Sequence, residues 1–460
     1  MLFLIFAIKI GVILPYSGDL ASYGPPAEKG LRLAVEEINR ARILGDTIVL
    51  IIKDSKTSPA EGVKCAKELI SQGVKVIIGA MSSSVTRAIL NYVKDKDVII
   101  LNGGSTSPYF TYNDPNNVFF RTCPSDELQG IVMAIIARNR GFKTASILYI
   151  DNSYGKGLAN KFEEEFKKGG GRIIAKVPYK PGKSSYKEEV IKAFSKNPML
   201  CVLIGYPQSG SAIVREWLKE GYGGFFIFSE GLKNEAFIKG AGDANLEGMV
   251  GTAPYVGGPN YDKFAKMFMK KYGENPSNYV WCDTHYDLMM LLAFAMLKAK
   301  SFEPSKLKSA LVEVSNPPGI TVTPGEFERG KKLIEIGEDI NYEGASGPVD
   351  FDENGDVLGT YEMWKISGGK IASAVEIYSP LGKIMGTVID IETKQRIPNV
   401  EILIKELNIK VYSDINGEFL FKDVPAGTYT MIARLNGKEF KQEVTVAPYL
   451  TSTCIFTIKK

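Results

Sequence analysis

The sequence predicts an α/β protein built from two similar halves, followed by a small all-β sandwich at its C-terminal end. Short apolar strands alternate with amphipathic helices in two successive series, which is typical of βαβ units and indicates two Rossmann-like halves. From Gly382 onward the pattern changes to short strands of period two, separated by turns that contain glycine. The chain has 460 residues, of which 45% are hydrophobic and 23% charged, and this is enough for roughly two to four domains.

The first series begins near the N-terminus. It predicts strands at 8–14, 47–53, 76–78, 98–101 and 118–121, with helices at 26–41, 59–71 and 84–93. Ser125 is a candidate helix N-cap, and a second series follows it. That series predicts strands at 144–150, 172–177, 200–205 and 225–229, with helices at 154–168, 184–195 and 208–219. Three further helices, near 260–272, 279–299 and 304–313, are assigned to neither half by the alternation.

The C-terminal part has hairpin chemistry. The stretch GASGPVDFDENGDVLGTYEMWKI predicts strands joined by polar glycine turns. Its DFDENG segment looks like the start of a calcium loop, but the twelfth position counted from Asp350 is Tyr361, where an EF-hand needs a glutamate, and calcium is therefore rejected. The boundary of the sandwich is predicted near residues 379–382, and Asn-Gly and Pro-Ala-Gly turns punctuate its strands.

Composition excludes several classes of function. The net charge of +4 comes from interleaved lysine and glutamate, which does not suggest nucleic-acid binding. The five cysteines are scattered, which argues against a zinc site or a dense disulfide framework, and most are expected to be buried. His285 is the only histidine and lies in a predicted buried helix, so most Ser-His-Asp and histidine-metal schemes have little room. We expect no cofactor, no metal and no catalytic residue.

The N-terminus starts with seven apolar residues fused to the first strand. They are too few to span a membrane and resemble the end of a signal peptide whose beginning is missing. No other apolar run approaches about 18 residues, the length that a spanning helix needs. We therefore expect a soluble, extracytoplasmic protein.

Two loops of small residues follow two strands of the first half. They read GAMSSS, residues 79–84, and NGGSTSP, residues 102–108. Ligands of parallel sheets collect outside the carboxyl ends of the strands, where small residues let backbone amides approach an anion. Ser83 and Thr106 add hydroxyl donors. Either loop alone is more simply explained as the start of a helix, but two in register favour a binding site.

The second half contributes candidates at its own strand ends. Tyr154 opens a predicted helix, Tyr206 follows the strand at 200–205, and Glu230 follows the apolar run FFIF. If the halves face each other, Glu230 would meet an ammonium group while the first-half loops meet a carboxylate, which is the arrangement that an amino-acid zwitterion needs. The alternatives are a solvated loop carboxylate for Glu230 and ordinary packing for the tyrosines.

Several motifs together resemble a known family. IKIGVILPYSGDLASYG, the GAMSSS and NGGSTSP loops, YGKGLA, SEGLKN and GPVDFDENGD occur in the order found in the leucine/isoleucine/valine-binding proteins, the ABC-importer receptors of type I periplasmic-binding fold. The resemblance covers about residues 8–378. Residues 383–459 resemble the carboxypeptidase regulatory-like, transthyretin-like sandwich through GTVIDIETKQRIPNVEI, SDINGEF and DVPAGTY, and we expect a stalk, spacer or surface-attachment role for it.

The resemblance implies the domain plan and the site. The first lobe is expected mainly at 8–121 and about 252–340, the second mainly at 122–251 and about 341–378, and the sandwich at 382–460, with three crossovers between the lobes. The family pattern implies that Ser83, Gly104 and Thr106 hold the ligand carboxylate and that Glu230 holds its ammonium. Aromatic lining residues are implied at Tyr23, Tyr154, Tyr206 and Tyr279, and Asp126 and Gln129 lie in a matching segment.

The sequence also departs from the family pattern. Ser55 and Ser82 stand where bacterial members carry a disulfide pair, so we expect the first lobe to rely on packing. Met81 and Ser82 also change the wall beside Ser83, and Tyr279 is more polar than a phenylalanine.

The functional expectation is a monomeric, non-enzymatic receptor. It would capture an amino acid, branched-chain or a similar aliphatic, by hinge closure and deliver it to an ABC permease in the membrane. One alternative is an extracytoplasmic sensor of the same fold that signals through a partner. The other is a nucleotide-dependent enzyme, which is disfavoured because no GxGxxG follows the first strand and no Walker lysine motif occurs.

Overall fold

The computed structural model describes residues 7–242, 246–424 and 427–459. The chain forms two compact units, one ending at Ile377 and the other beginning at Tyr378. Among the described residues, no helix combines the length and the apolar character needed to cross a membrane.

The first part of the larger unit is a five-stranded parallel sheet in the order β2-β1-β3-β4-β5. Two of its inner strands, β3 and β4, are buried along their whole length, as expected when helices cover both faces of a parallel sheet. We call the part built on this sheet the first lobe. Its elements are β1 (Ala7–Leu14), α1 (Gly24–Ala41), β2 (Thr47–Asp54), α2 (Pro59–Ser71), β3 (Val76–Gly79), α3 (Ser83–Val93), β4 (Ile99–Asn102), α4 (Tyr109–Tyr112) and β5 (Phe119–Arg121).

The second lobe is built on a seven-stranded sheet in the order β15-β14-β10-β9-β8-β6-β7. Strands β6 to β10 run parallel, and β14 pairs antiparallel with β10. The elements up to β10 are α5 (Asp126–Asn139), β6 (Thr144–Ile150), α6 (Ser153–Lys168), β7 (Arg172–Tyr179), α7 (Lys187–Phe194), β8 (Leu200–Ile204), α8 (Pro207–Lys219), β9 (Phe225–Phe228), α9 (Glu235–Ala241) and β10 (Val250–Pro254).

The helices left unassigned by the sequence pattern pack on the first lobe. Helix α11 is buried from Cys282 to Leu297 and packs against α1 and α12. A three-stranded sheet, β11-β12-β13, lies beside these helices. The elements are α10 (Pro259–Tyr272), α11 (Cys282–Ala299), α12 (Pro304–Ser315), β11 (Ile320–Val322), α13 (Phe327–Glu335), β12 (Ile340–Gly344), β13 (Gly347–Pro348), β14 (Tyr361–Ser367) and β15 (Lys370–Tyr378).

The chain therefore passes between the lobes three times: before α5, after β10 and before β14. Strand β10 ends at Pro254 and belongs to the second sheet, and the chain enters the first lobe after it. Strands β11 and β12 and helix α13 have no counterpart in the predicted elements. The two strands are only three and five residues long and show no clear period. Strand β13 lies in the stretch for which the sequence predicts hairpin strands.

The smaller unit is a β-sandwich of two sheets, in the orders β19-β16-β22 and β18-β17-β20-β21. Alternate residues of its strands point into one shared core, which includes Val388, Ile402, Met431 and Phe456. Its strands are β16 (Gly382–Asp390), β17 (Glu401–Ile404), β18 (Ile409–Tyr412), β19 (Glu418–Val424), β20 (Gly427–Leu435), β21 (Lys438–Val446) and β22 (Thr451–Ile458). The predicted fold class, two α/β halves followed by an all-β sandwich, is confirmed.

Candidate functional site

The two small-residue loops of the first lobe form one structure. Strands β3 and β4 are parallel neighbours, so the loops that follow them leave the same edge of the sheet. The fully buried Asn102 joins them: its Nδ2 donates to the carbonyl of Ala80 at 2.8 Å, and its Oδ1 accepts from the N–H groups of Gly104 at 2.9 Å and Ser105 at 2.6 Å. The N–H of Gly104 is therefore already engaged inside the protein.

Hydroxyl groups add to this joint. Ser105 Oγ donates to the carbonyl of Ala80 at 2.7 Å and lies 2.8 Å from Thr86 Oγ1. Ser83, the first residue of α3, accepts the N–H of Ser107 at 3.3 Å. The loops thus hold each other in place and present the N-terminus of α3, whose free N–H groups attract negative charge. The sequences of the two loops do not by themselves show that Asn102, Thr86 and Ser105 form the hydrogen bonds that connect them.

A buried arginine supports the second loop from beneath. Arg121 donates to the carbonyls of Ser105 at 3.1 Å and Ser107 at 2.9 Å. It also forms a bidentate ion pair with Asp356, at 2.6 and 2.9 Å, and the arginine side chain is fully buried. The acidic DENGD segment therefore has a structural role, since Asp352 orders its turn by accepting the N–H groups of Asn354 and Asp356.

The facing wall comes from the second lobe. Glu230 follows β9 and is only 4% exposed, and Tyr154 donates its hydroxyl to Glu230 Oε2 at 2.8 Å. The rings of Tyr154 and Tyr206 stack with their centroids 5.7 Å apart. Tyr23 of the first lobe donates to the carbonyl of Gly231 at 3.1 Å, so it bridges the two lobes beside the glutamate.

These groups line a small cavity between the lobes. Its lining residues are Leu20, Tyr23, Met81, Ser83, Gly104, Tyr154, Tyr206, Glu230, Gly231 and Trp281. The volume is about 20 Å³, about enough for one water molecule, so the lobes must separate before a larger molecule can enter. Six of the eight residues predicted for the site line this cavity: Tyr23, Ser83, Gly104, Tyr154, Tyr206 and Glu230.

The other two predicted residues lie elsewhere. Thr106 is buried behind the lining, where its carbonyl accepts the N–H of Asp126 at 2.8 Å. Tyr279 is not among the lining residues, and its hydroxyl donates to Glu274 at 2.9 Å. The aromatic side chain in the cavity is that of Trp281, two residues further on. Trp281 has a left-handed backbone conformation, with φ of 78°. Such a conformation costs a bulky residue about 1–3 kcal/mol.

Two further polar residues lie buried at the start of α5. Neither carboxyl oxygen of Asp126 has a hydrogen-bond partner among the described residues, although the side chain is fully buried. Gln129 donates to Thr252 Oγ1 at 2.8 Å. The sequence alone predicts no defined role for either residue. Burial raises the pKa of Asp126 well above its ordinary value, and the nearby charge of Glu230 raises it further.

The pKa of Glu230, the acidic residue that lines the cavity, lies well above its ordinary value. Burial raises its pKa to about 7, while the hydrogen bond from Tyr154 acts in the opposite direction. Lys233 does not neutralise it, because Lys233 forms its own buried ion pair with Glu362. The charged form of Glu230 therefore lacks a partner cation among the residues that line the cavity, and a ligand ammonium would supply one.

An open cleft of about 530 Å³ lies outside the cavity, and Tyr206 lines both. Across this cleft the N–H of Ser153 donates to Ser84 Oγ at 3.1 Å, and Ser107 Oγ donates to the carbonyl of Ser153 at 3.0 Å. These contacts hold the lobes closed. Ser55 and Ser82, the two positions that depart from the expected disulfide, are both buried, and all five cysteines are free and buried.

The arrangement suits a small zwitterion. Neutral N–H and hydroxyl groups lie on the first-lobe side, and an acid without a cation lies on the other side. The apolar faces of Leu20, Met81 and Trp281 complete the lining.

Comparisons with known proteins identify the families that the two parts of the chain resemble. A family model described as periplasmic binding protein matches residues 7–358, and one described as CarboxypepD_reg-like domain matches residues 384–459. The chain is 28% identical over 353 residues to the chemotactic signal transduction system substrate-binding protein BasB of Halobacterium salinarum, covering 75% of this chain and 83% of the relative.

Two further matches concern amino-acid-binding proteins. The chain is 26% identical to the leucine-, isoleucine-, valine-, threonine-, and alanine-binding protein of Pseudomonas aeruginosa, over 66% of this chain and 82% of the relative. The crystal structure of the leucine binding protein LivK from Thermotoga maritima superposes with a TM-score of 0.70 at 25% identity, covering 80% of this chain and 98% of that structure.

Proposed function

We propose that this chain, which belongs to the periplasmic binding protein family over residues 7–358, captures an amino acid between its lobes outside the cytoplasm and delivers it to an ABC permease. It does so as a monomer and without catalysing a reaction. The ligand is a branched-chain or similar aliphatic amino acid. The named functions of the Pseudomonas and Thermotoga relatives support this ligand class.

One observation carries the proposal: a buried carboxylate without a partner cation faces a pair of neutral, hydrogen-bonding loops across a small cavity. An α-amino acid answers both walls at once, with its ammonium at Glu230 and its carboxylate at Ser83 and the N-terminus of α3. Hydrogen bonds to charged groups contribute about 1.5–3 kcal/mol each, whereas a buried charge left unpaired costs more. A simple amine or a simple acid satisfies only one wall and is disfavoured.

The side chain of the ligand would lie against Leu20, Met81 and Trp281. Burial of apolar surface stabilises such a complex by about 25 cal/mol per Å², which favours an aliphatic side chain over a polar one. Closure of the lobes would exclude water from the charge pairs and strengthen them.

Isothermal titration of the ligand-free protein with each of the twenty amino acids tests the proposal. We expect at least one aliphatic amino acid to bind with a dissociation constant of about 1 μM or tighter, about −8 kcal/mol. Leucine methyl ester and N-acetyl-leucine are matched probes, because each removes one of the two charges and keeps the side chain. Both should bind far more weakly than leucine. Failure of all twenty amino acids to bind would overturn the proposal.

A second candidate function is ligand sensing, in which the closed form signals to a membrane partner. The match to BasB, whose name places it in a chemotactic signal transduction system, favours this candidate. Deleting residues 378–460 separates the two roles if the sandwich is the signalling contact. Transport predicts unchanged amino-acid binding and unchanged uptake in cells that carry the permease, whereas sensing predicts unchanged binding and a lost response to the amino acid.

A further inference from the structure

The residue that precedes α11 contributes to the lining of the cavity. Trp281 lines the cavity and has the left-handed backbone conformation, with φ of 78° and ψ of 3°. A bulky aromatic residue rarely adopts this conformation, because its Cβ crowds its own carbonyl oxygen. Neighbouring groups must therefore hold Trp281 in place.

The first turn of α11 supplies those groups. His285 Nδ1 lies 2.6 Å from the carbonyl oxygen of Trp281, and Thr284 Oγ1 lies 3.0 Å from the same oxygen. A carbonyl oxygen only accepts hydrogen bonds, so the neutral imidazole carries its proton on Nδ1. Burial lowers the pKa of His285 to about 4, and the ring therefore stays neutral near pH 7 and keeps this single donor.

The same ring contacts the loop that faces the ligand carboxylate. A Cβ placed on Gly103 would lie 2.5 Å from His285 Nδ1, so only a glycine lets the ring and the loop approach so closely. Thr284 Oγ1 also lies 2.7 Å from the carbonyl oxygen of Gly103. His285 thus contacts both the loop at residues 102–108 and the backbone of Trp281, yet it is not among the residues that line the cavity.

We propose that His285 is a positioning residue for side-chain selection, which holds the Trp281 carbonyl so that the indole closes the apolar end of the amino-acid cavity. The inference rests on the proposed function. Every α-amino acid uses the same carboxylate and ammonium contacts, so loss of this support weakens binding of large side chains and spares small ones. His285, the only histidine of the chain, thereby gains a role that its buried position alone does not require.

The test compares leucine with alanine binding by isothermal titration in His285→Leu and His285→Asn. The asparagine amide reproduces the Nδ1–H donor, and the leucine side chain removes it. We expect His285→Leu to lose about tenfold in leucine affinity and less than about twofold in alanine affinity, and His285→Asn to restore the wild-type ratio. If the leucine variant does not fold, His285→Phe replaces it, since the phenyl ring fills the site without a donor.

A double-mutant cycle shows whether His285 acts through Trp281. In a Trp281→Leu background, His285→Leu should leave the leucine-to-alanine ratio unchanged; an additional, independent loss there would overturn the inference. An unchanged leucine-to-alanine ratio in His285→Leu itself would also overturn the inference.

Tryptophan fluorescence of the ligand-free protein gives a readout that needs no ligand, because the chain has only three tryptophans. His285→Leu should shift the emission, and this shift should vanish in the Trp281→Leu background. If the wild type binds no amino acid but the shift is present, the proposed function fails and the positioning of Trp281 stands.

Discussion

The two walls of the cavity hold their polar groups in opposite ways. On the first-lobe wall, neutral groups are tied to one another by Asn102, Ser105 and Arg121, and the charge of Arg121 is already balanced by Asp356. On the second-lobe wall, Glu230 is buried without a partner cation, and Asp126 lies buried near it. One wall is complete before a ligand arrives, and the other becomes balanced only when a cation enters.

This difference assigns different tasks to the two walls. A preformed set of neutral donors orients a carboxylate at little cost in reorganisation, because its groups are already fixed. A buried carboxylate without a counter-charge raises the free energy of the closed form, and a bound ammonium group lowers it. The second wall should therefore control affinity and its dependence on pH, and the first wall should control geometry.

The largest expected effect comes from the support beneath the first wall. Arg121→Met removes one partner of a buried ion pair and leaves Asp356 without its counter-charge, which costs about 3–5 kcal/mol. We expect the free energy of unfolding of the larger unit to fall by this amount in urea titrations. Arg32→Met is the matched control, since Arg32 forms an exposed ion pair with Glu28 that is worth about 0–1 kcal/mol. Equal losses in the two variants would contradict the structural role of the Arg121–Asp356 pair.

Glu230→Gln tests the second wall directly. The substitution keeps the shape of the side chain and removes its charge, so we expect amino-acid affinity to fall at least tenfold, about 1.4 kcal/mol. The stability of the ligand-free protein should not fall, because no buried charge is left unpaired. Glu235→Gln, at an exposed glutamate five residues further on, is the control and should bind as the wild type does. Unchanged affinity in Glu230→Gln would place the ammonium elsewhere, with Asp126 as the first alternative.

The contrast between the walls also explains what the sequence could predict. The loops after β3 and β4 were recognisable because small residues follow buried strands, and alternation placed both at one sheet edge. Glu230 and Tyr154 were found at strand ends of the second half, but their contact at 2.8 Å depends on how β6 and β9 are ordered in the sheet. The Arg121–Asp356 pair joins residues 235 positions apart, and no local pattern reports such a contact.

The aromatic residue at the end of the cavity marks the other limit. Tyr279 and Trp281 are two residues apart, and the choice between them depends on one left-handed backbone angle before α11. A single sequence does not predict a left-handed conformation for a tryptophan, because glycine and, less often, asparagine are the residues that adopt it readily. The extents of α6 and α8, by contrast, followed from their apolar periodicity to within about one residue.

The pH dependence of binding separates the walls further. Burial raises the pKa of Glu230 to about 7, so in the ligand-free protein the acid becomes protonated as the pH falls below 7 and no longer attracts an ammonium. We expect leucine affinity to fall about tenfold between pH 8 and pH 6, and Glu230→Gln to lose this dependence. Stability changes with the opposite sign: a raised carboxyl pKa contributes stability below the ordinary value of 4.5, and this contribution is lost as the pH rises through about 7. A flat affinity profile would show that Glu230 is not the group that faces the ammonium.

The smallest expected effect comes from one donor of the first wall. Ser83→Ala removes a hydroxyl that faces the cavity, but the free N–H groups at the start of α3 remain. Because several donors share the carboxylate, we expect a loss of about 1 kcal/mol, about fivefold in leucine affinity. Leucine methyl ester, which lacks the anionic group, should lose less than leucine does. Ser71→Ala, at an exposed serine of α2, is the control. If Ser83→Ala lost as much leucine affinity as Glu230→Gln, the first wall would depend on a single donor. The two walls would then not differ in the way proposed, since each would depend on one group.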